Sequence, residues 1–406
     1  MSCHPRVTEW STMLQTHLPH VSKPQATGGA LWSLGMVLAR SCALTAVSAF
    51  LATWLSRQEP AVRQQWREFC YEAEAQRGTH RCALAVEPCF VPRLGWIGEQ
   101  WEGTQWALAL EATTLGPRFP VLALSVVSRG WAIPVAWTVL EATAKHAWRR
   151  EWWRLLRQGR RAVPRTWTVL VLADRGLYAR WLFRRITRLG WHPFLRLNPG
   201  GTFRPTGQVR RVPLQTLGPQ PGTTWQGTGL AFTGRHRQLH GTLLACWEAG
   251  DKDPWLLLTA LPPEASTACW DGLRAWIEPG FKITKRAGWP WQRTHRTKPE
   301  RAARLWLAVA VATRWLLSVG GEADATLPTS TVPDVTTLVP APPRTRRATR
   351  LRLVRVLRRG WNRILVALLD QAPLPLGRFV PAPWPAVPVP QEETPSLPVL
   401  ALPVAA

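Results

Sequence analysis

The stretch WTVLVLADRG, residues 167–176, decides the fold class. Val169 to Ala173 is an unbroken apolar run, and it ends in Asp174. A run of this length bounded by turn signals reads as a strand buried on both faces. Such a strand belongs at the centre of a layered sheet with helices on its flanks. Its terminal carboxylate then sits at the sheet's C-terminal edge, where α/β sheets present ligand-binding groups. Gly176 would allow a tight turn or a close ligand approach. Alternatively, Asp174 caps a helix starting near Leu177.

Working outward, the same texture extends on both sides. Trp106 to Leu115 (WALALEATTL), Val121 to Ser128 (VLALSVVS) and Ile133 to Leu140 (IPVAWTVL) read as three short strands in an antiparallel meander. A basic helix is predicted over 146–161, an amphipathic helix over 177–189 stopped by Gly190, and a strand over 193–197. The order βββαβαβ is that of a mixed α/β sheet. Residues 1–100 read as a helical N-terminal region for DNA binding or assembly, and the sheet core begins within 101–200. Residues 201–268 are Gly/Thr-rich with short strand-like runs, and suggest a β-rich insertion rather than more of the core. Helical texture resumes over 269–320, where Pro299 to Ser318 is apolar nearly all round and should be buried. Residues 321–406 are expected to be largely disordered, since ten of the last 36 residues are Pro; Arg344 to Arg363, with nine Arg and no acid, is spaced (LRLVRVLRR) so that it could be a basic helix.

The chain carries 51 Lys+Arg against 25 Asp+Glu, for a net charge of +26. Of the basic residues 45 are Arg, and of the acids only seven are Asp, none before Asp174. This balance points to a polyanionic partner, nucleic acid ahead of a membrane surface. The seven cysteines are scattered and form no C-x-x-C pair, as in a reduced cytoplasmic protein. The first 20 residues lack a signal-peptide pattern, and the apolar stretch 41–56 is shorter than the ~20 residues of a bilayer span. A soluble, cytoplasmic chain with access to a bacterial nucleoid is therefore expected.

Three acids stand out. Glu111 lies mid-strand in an apolar run, where a carboxylate is costly unless paired or bound to metal. Asp174 ends the central strand. Glu278 follows Arg274 by four residues and precedes Lys285 by seven, so all three share one helix face. A basic run containing Lys282, Lys285, Arg286, Arg293 and the interleaved Trp289 and Trp291 follows, a strip suited to DNA backbone with stacking aromatics. Arg175 adds a further DNA-facing candidate. Three carboxylates beside such a surface suit two-metal phosphoryl transfer with Mg²⁺ or Mn²⁺ as cofactor. No phosphate-binding loop G-x-x-x-x-G-K-[ST], H-E-x-x-H or G-x-S-x-G motif occurs, so nucleotide, zinc-protease and hydrolase-elbow chemistries are disfavoured.

With LADRGLYARWLFRRITRLGW (172–191) and GLRAWIEPGFKITKRAGWPWQRT (272–294), the chain resembles bacterial insertion-sequence transposases with a DDE triad, in the insertion sequence 4 group. The family signature near its last acid is Tyr, two residues, Arg, three residues, Glu, six residues, Lys; Arg274, Glu278 and Lys285 match it. The resemblance spans roughly residues 30–320. It implies a ribonuclease-H-like catalytic domain interrupted by a β-rich insertion. It further implies Glu111, Asp174 and Glu278 as catalytic metal ligands for two ions, with Arg274 and Lys285 on DNA phosphates. The implied partners are element ends with inverted repeats, target DNA and a second copy of the chain. The implied reaction is strand cleavage by water, then transfer of the freed 3′-OH. Insertion residues Trp225, Trp247 and Trp255 would be candidates for stacking on an extruded base.

Two residues depart from the pattern. The family's first acid is Asp in a strand like LALDAT, whereas this chain has Glu111 in LALEAT. Its extra methylene moves the carboxylate by roughly 1 Å, a shift that can cost ~10²-fold in rate. The family's Tyr is Asp271 here, a negative charge where a phosphate is expected. The competing expectation is thus a catalytically inactive, transposase-derived DNA-binding protein.

Overall fold

The computed structural model describes residues 4–79, 81–115, 118–128, 131–143, 148–232, 238–248, 251–271, 273, 289, 296–326 and 343–381. Helices α1 (Pro5–His17), α2 (Lys23–Ala39), α3 (Leu44–Trp54), α4 (Glu59–Cys70) and α5 (Phe90–Glu99) precede the first strand. Between α2 and α3, Arg40 takes a left-handed conformation (φ 50°), and the two helices diverge by 97°.

Strands β1 (Gln105–Leu115), β2 (Phe119–Ser128) and β3 (Trp131–Val139) form the antiparallel meander. Helix α6 (Arg149–Ala162) leads to β4 (Thr168–Ala173), and α7 (Arg180–Arg188) leads to β5 (His192–Arg196). Strand β4 runs parallel to both β1 and β5. This βββαβαβ order, with β4 between β1 and β5, is the ribonuclease-H-like arrangement. The apolar run of β4 is buried from Val169 to Ala173 because it has strands on both sides and covered faces.

The β-rich segment is not separate from this sheet. Strands β6 (Thr202–Pro205), β7 (Val212–Pro213), β8 (Thr224–Ala231), β9 (Leu239–Cys246) and β10 (Trp255–Thr259) continue it in the order β3-β2-β1-β4-β5-β10-β9-β8-β6-β7. Strand β10 pairs antiparallel with β5, which closes the open edge that β5 would otherwise present. The Gly/Thr-rich texture therefore marks an extension of the core sheet.

Register and parity define the two faces. Glu111 pairs with Ala123, and Ala123 with Trp137. Trp137 packs on Phe90 of α5 and on Trp306 of α8 (Pro299–Ala325). Its indole donates to the Ala303 carbonyl at 3.2 Å. Helices α5 and α8 thus cover the face that bears Glu111. Helices α6 and α7 cover the other. Gly159 of α6 fits tightly over Leu124, the neighbour of Ala123, and Phe183 of α7 reaches Gly241.

Helix α8 is long and apolar enough to cross a membrane, but the apolar stretch is 94% buried within the protein. It packs against α2, α4, β3 and a last helix, α9 (Pro343–Leu369). Its apolar circumference, read from sequence as burial, is explained by these neighbours. Trp315 stacks on Trp10 at 4.3 Å, worth about 0.5–1.5 kcal/mol beyond burial. Arg314 is fully buried with its guanidinium 3.3 Å over Trp96, and burial pulls its pKa well below the usual value.

The expectation of a largely disordered chain from residue 321 needs correction in its first part. Helix α8 continues to Ala325, and Val356, Leu357, Trp361 and Ile364 of α9 are buried. Gly320 and Gly360 bring the two helices into backbone contact: a Cβ at Gly360 would lie 2.3 Å from the Leu316 carbonyl oxygen. Beyond α9, Leu374 and Phe379 are also buried, and Phe379 exchanges backbone hydrogen bonds with Gln100 and Glu102 just before β1. The Arg-rich pattern LRLVRVLRR, compatible by its spacing with a basic helix, lies within α9. Residues 382–406 lie outside the described residues.

Candidate active site

Strand pairing brings two of the three proposed acids together. Leu110 of β1 pairs in parallel with Ala173 of β4. One residue further, Glu111 and Asp174 are neighbours across strands ~4.8 Å apart, with side chains on the same face. Glu111 is half-buried and Asp174 is exposed at the end of its strand. The Asp174 carboxylate accepts the Arg175 backbone N–H at 2.6 Å, and its carbonyl accepts that of Leu177 at 2.8 Å. These bonds fix a turn directly after the strand. Helix α7 begins only at Arg180, with Ala179 at its N-cap, so Asp174 does not cap it. Gly176 has no left-handed φ, and nothing stands within 4 Å of where its Cβ would be. The turn does not demand glycine, but the space beside it is open.

A third charged residue joins this row. Ala173 pairs with Leu195, which sets Arg196 beside Asp174 on the Glu111 face. Arg196 is half-buried and its guanidinium lies 5.7 Å from the Trp255 ring. Sequence reading passed over it, although its signal equals that of Glu111: one charge inside a short apolar strand. The row Glu111–Asp174–Arg196 therefore alternates acid, acid, base across three adjacent strands.

The loop between β9 and β10 reaches the same sheet edge. Its Asp253 pairs with Arg175 at 3.5 Å, tying the loop to the turn after β4. Arg175 is thus half-buried and paired within the protein at this edge. In the same loop, burial and the nearby Asp251 push the Glu248 carboxyl up to about 7.

Glu278, Arg274, Lys282, Lys285, Arg286, Arg293 and Trp291 lie outside the described residues. Asp271 ends a short 3-10 turn, Ala268–Asp271. In that turn, Trp270 packs on Phe194 with rings 6.0 Å apart. Phe194 pairs with Leu172 and shares the Glu111 face, so the chain enters the segment bearing Glu278 on that face. Trp289 corrects the expectation of a stacking aromatic on a DNA strip. It is 2% exposed, donates to Thr313 of α8 at 2.9 Å and meets Trp361 edge-on, so it belongs to the core. Among the insertion tryptophans, Trp255 is buried, Trp225 is half-buried against Phe203, and Trp247 donates to the Asp251 carbonyl at 3.0 Å. None of the three stands as an exposed platform for a base.

Among the described residues, no group of three His, Cys, Asp or Glu side chains comes together. The Glu111–Asp174 pair supplies hard oxygen donors at an open edge, the donor type that Mg²⁺ or Mn²⁺ takes with several waters retained. Carboxylates on neighbouring strands are favoured by a cation between them. The pair therefore fits a divalent ion and needs a further acid to complete a two-ion site.

Residues 133–315 match the family model described as a transposase DDE domain. The match contains Asp174 and Glu278 but begins after Glu111. Among solved structures, the chain is similar to a cryo-EM structure of the piggyBac transposase synaptic complex with hairpin DNA. The identity is 12% and the TM-score 0.41, covering 92% of this chain and 83% of that one. No curated protein matches the chain.

Proposed function

We propose that this chain, with a transposase DDE domain matched over residues 133–315 as the premise, is a DNA transposase that cuts element ends and transfers the freed 3′-OH to target DNA. The observation that carries the reading is the register that pairs Leu110 with Ala173, so that Glu111 and Asp174 follow side by side at the sheet edge. Glu111, Asp174 and Glu278 would hold two Mg²⁺ or Mn²⁺ ions. When bound, such ions activate the attacking water and stabilise the leaving oxygen. Asp174 is oriented for this by the Arg175 N–H, which holds one carboxylate oxygen in place. Arg196, next in the row, would neutralise charge on the phosphate that approaches the pair. Arg274 and Lys285 would hold phosphates near the element end, and a second copy of the chain would hold the other end.

The test is nicking of duplexes carrying the inverted repeats that flank the gene, with Mg²⁺ or Mn²⁺. Divalent-dependent nicks at the repeat boundary, lost in Asp174→Ala, support the proposal; no nicks under any divalent condition defeat it. The second reading, a DNA-binding protein without catalysis, is favoured by one residue: Glu111 in place of a shorter Asp. It predicts salt-sensitive, end-specific binding that survives Asp174→Ala, with no nicking by either protein.

A further inference from the structure

Helices α6 and α7 run side by side over the face opposite Glu111 and Asp174. Together they contain ten Arg and a single acid, Glu151. The basic residues are not scattered. Arg150, Arg154, Arg157 and Arg161 follow one another at spacings of four, three and four along α6, and Arg180, Arg184 and Arg188 at four and four along α7. These spacings put each set in a single row on one helix face. The opposite faces are apolar: Trp152, Leu155 and Leu156 of α6 and Leu182, Phe183 and Ile186 of α7 are buried on the sheet. The rows therefore point away from the core; Arg150, Arg154, Arg157, Arg161, Arg184 and Arg188 are exposed and Arg180 is half-buried, while Arg154 also donates to Thr138 at 3.0 Å and lies 3.8 Å from Glu87.

The two helices are locked to one another by cation–π contacts. Arg185 lies 4.4 Å from the Trp153 ring and Arg149 lies 5.9 Å from the Trp181 ring. Both helices start at the catalytic edge and run away from it, so the rows are roughly parallel. Helix α6 has 14 residues, about 21 Å at ~1.5 Å per residue. That length spans about six base pairs at ~3.4 Å per pair.

We infer that the two arginine rows form a docking surface for the phosphate backbone of a DNA segment other than the one at the carboxylates. The sheet lies between the rows and the Glu111–Asp174 pair, and the rows run away from that edge, so a duplex lying along them extends away from the pair. Arginine, with no lysine among the ten, suits forked contacts to phosphate oxygens. A membrane-binding surface would add large exposed apolar side chains for insertion. Among the described residues, the exposed large apolar ones (Phe50, Val209, Val366 and Leu369) all lie elsewhere. The identity of the segment as flanking or target DNA rests on the transposase reading; the binding itself does not.

The experiment replaces the seven row residues by Gln in the full chain, with the same seven replaced by Lys as a second variant. Binding to a duplex of arbitrary sequence is followed across a salt series. The wild type should lose affinity steeply with salt, and the Gln set should flatten the slope by about 0.9 for each phosphate contact removed, several units in all. The Lys set should keep most of the slope. Should the full Gln set not fold, the four α6 and three α7 substitutions made separately carry the same test. An unchanged slope in the Gln sets overturns the inference. So does an unchanged duplex slope with lost binding to phosphatidylserine vesicles. A chain that never nicks DNA but loses its salt slope this way keeps the surface and refutes the transposase reading. Nicking with an unaltered slope does the reverse.

Discussion

The two faces of the central sheet use charge in opposite ways. On one face, Glu111 and Arg196 are single charges inside apolar strands, beside Asp174 at a strand end. On the other, seven arginines stand in two rows on the outside of helices. A half-buried charge feels a low dielectric, interacts strongly and depends on position to about an ångström. A solvated charge is screened, weak by itself and nearly interchangeable with its neighbours. The first face should therefore be sensitive to single atoms and the second only to sums.

The largest expected effect is Asp174→Ala. Nicking should fall by about 10³-fold or more, as for removal of one member of a catalytic unit. Thermal stability should be nearly unchanged, because the side chain is exposed and its carboxylate bonds the backbone of its own turn. Retention of nicking would remove the carboxylate pair from the chemistry and end the contrast. Next is Glu111→Asp, which retracts one carboxylate by one methylene. The rate should change by about 10²-fold, read in the same nicking assay. A gain identifies Glu111 as displaced from the best position, and a loss identifies it as adapted there. An unchanged rate would mean that the site tolerates what the contrast says it cannot.

A packing change supplies the control. Gly360→Ala puts a Cβ 2.3 Å from the Leu316 carbonyl oxygen and should destabilise the chain by about 1–3 kcal/mol. In a denaturant melt both faces should respond together, with nicking and duplex binding lost at one midpoint. Separate midpoints would show that α8 and α9 do not brace the sheet as one unit. On the basic face, Arg157→Gln alone should reduce the salt slope of duplex binding by no more than about 0.9. A collapse of binding from this one substitution would make the row as position-critical as the carboxylates.

The smallest effect is at the shared edge. Glu248 has its pKa raised to about 7 by burial and by Asp251. The folded state binds its proton more tightly than the unfolded state, so stability contributed by the protonated form falls as pH rises from about 4.5 to 7. Glu248→Gln should flatten stability against pH in that window and leave the protein modestly more stable at pH 8. An unaltered profile would mean that the group titrates normally.

Much of the sheet was legible along the chain. The apolar run before Asp174, the alternation around Glu111 and the amphipathic spacing of α7 are local patterns, and each appears where the periodicity put it. Boundaries shifted by a few residues where caps or turns intervened, as at Ala179. The Arg-rich segment reads as a possible basic helix along the chain, but its docking does not: Arg content describes solubility, while Val356, Leu357, Trp361 and Ile364 form a buried stripe. Trp289 was misread because a Trp within a basic run has the same local signature whether it faces DNA or the core. Arg196 was missed because its significance comes from Asp174, 22 residues earlier in the chain and one strand away.

The sequence by itself determined most strands and helices up to residue 320, which helix is buried all round, and that the charge balance suits a polyanion. These follow from hydrophobic period and composition, which are properties of neighbours along the chain. Only the tertiary structure decided that the β-rich segment extends the central sheet, that α9 clamps α8, and that Glu111, Asp174 and Arg196 stand in one row. It alone separated the carboxylate face from the arginine rows. Register between strands and the side of a sheet on which a helix lands depend on contacts distant in sequence. No local pattern encodes them, because many pairings bury the same apolar surface and only the full set of contacts selects among them.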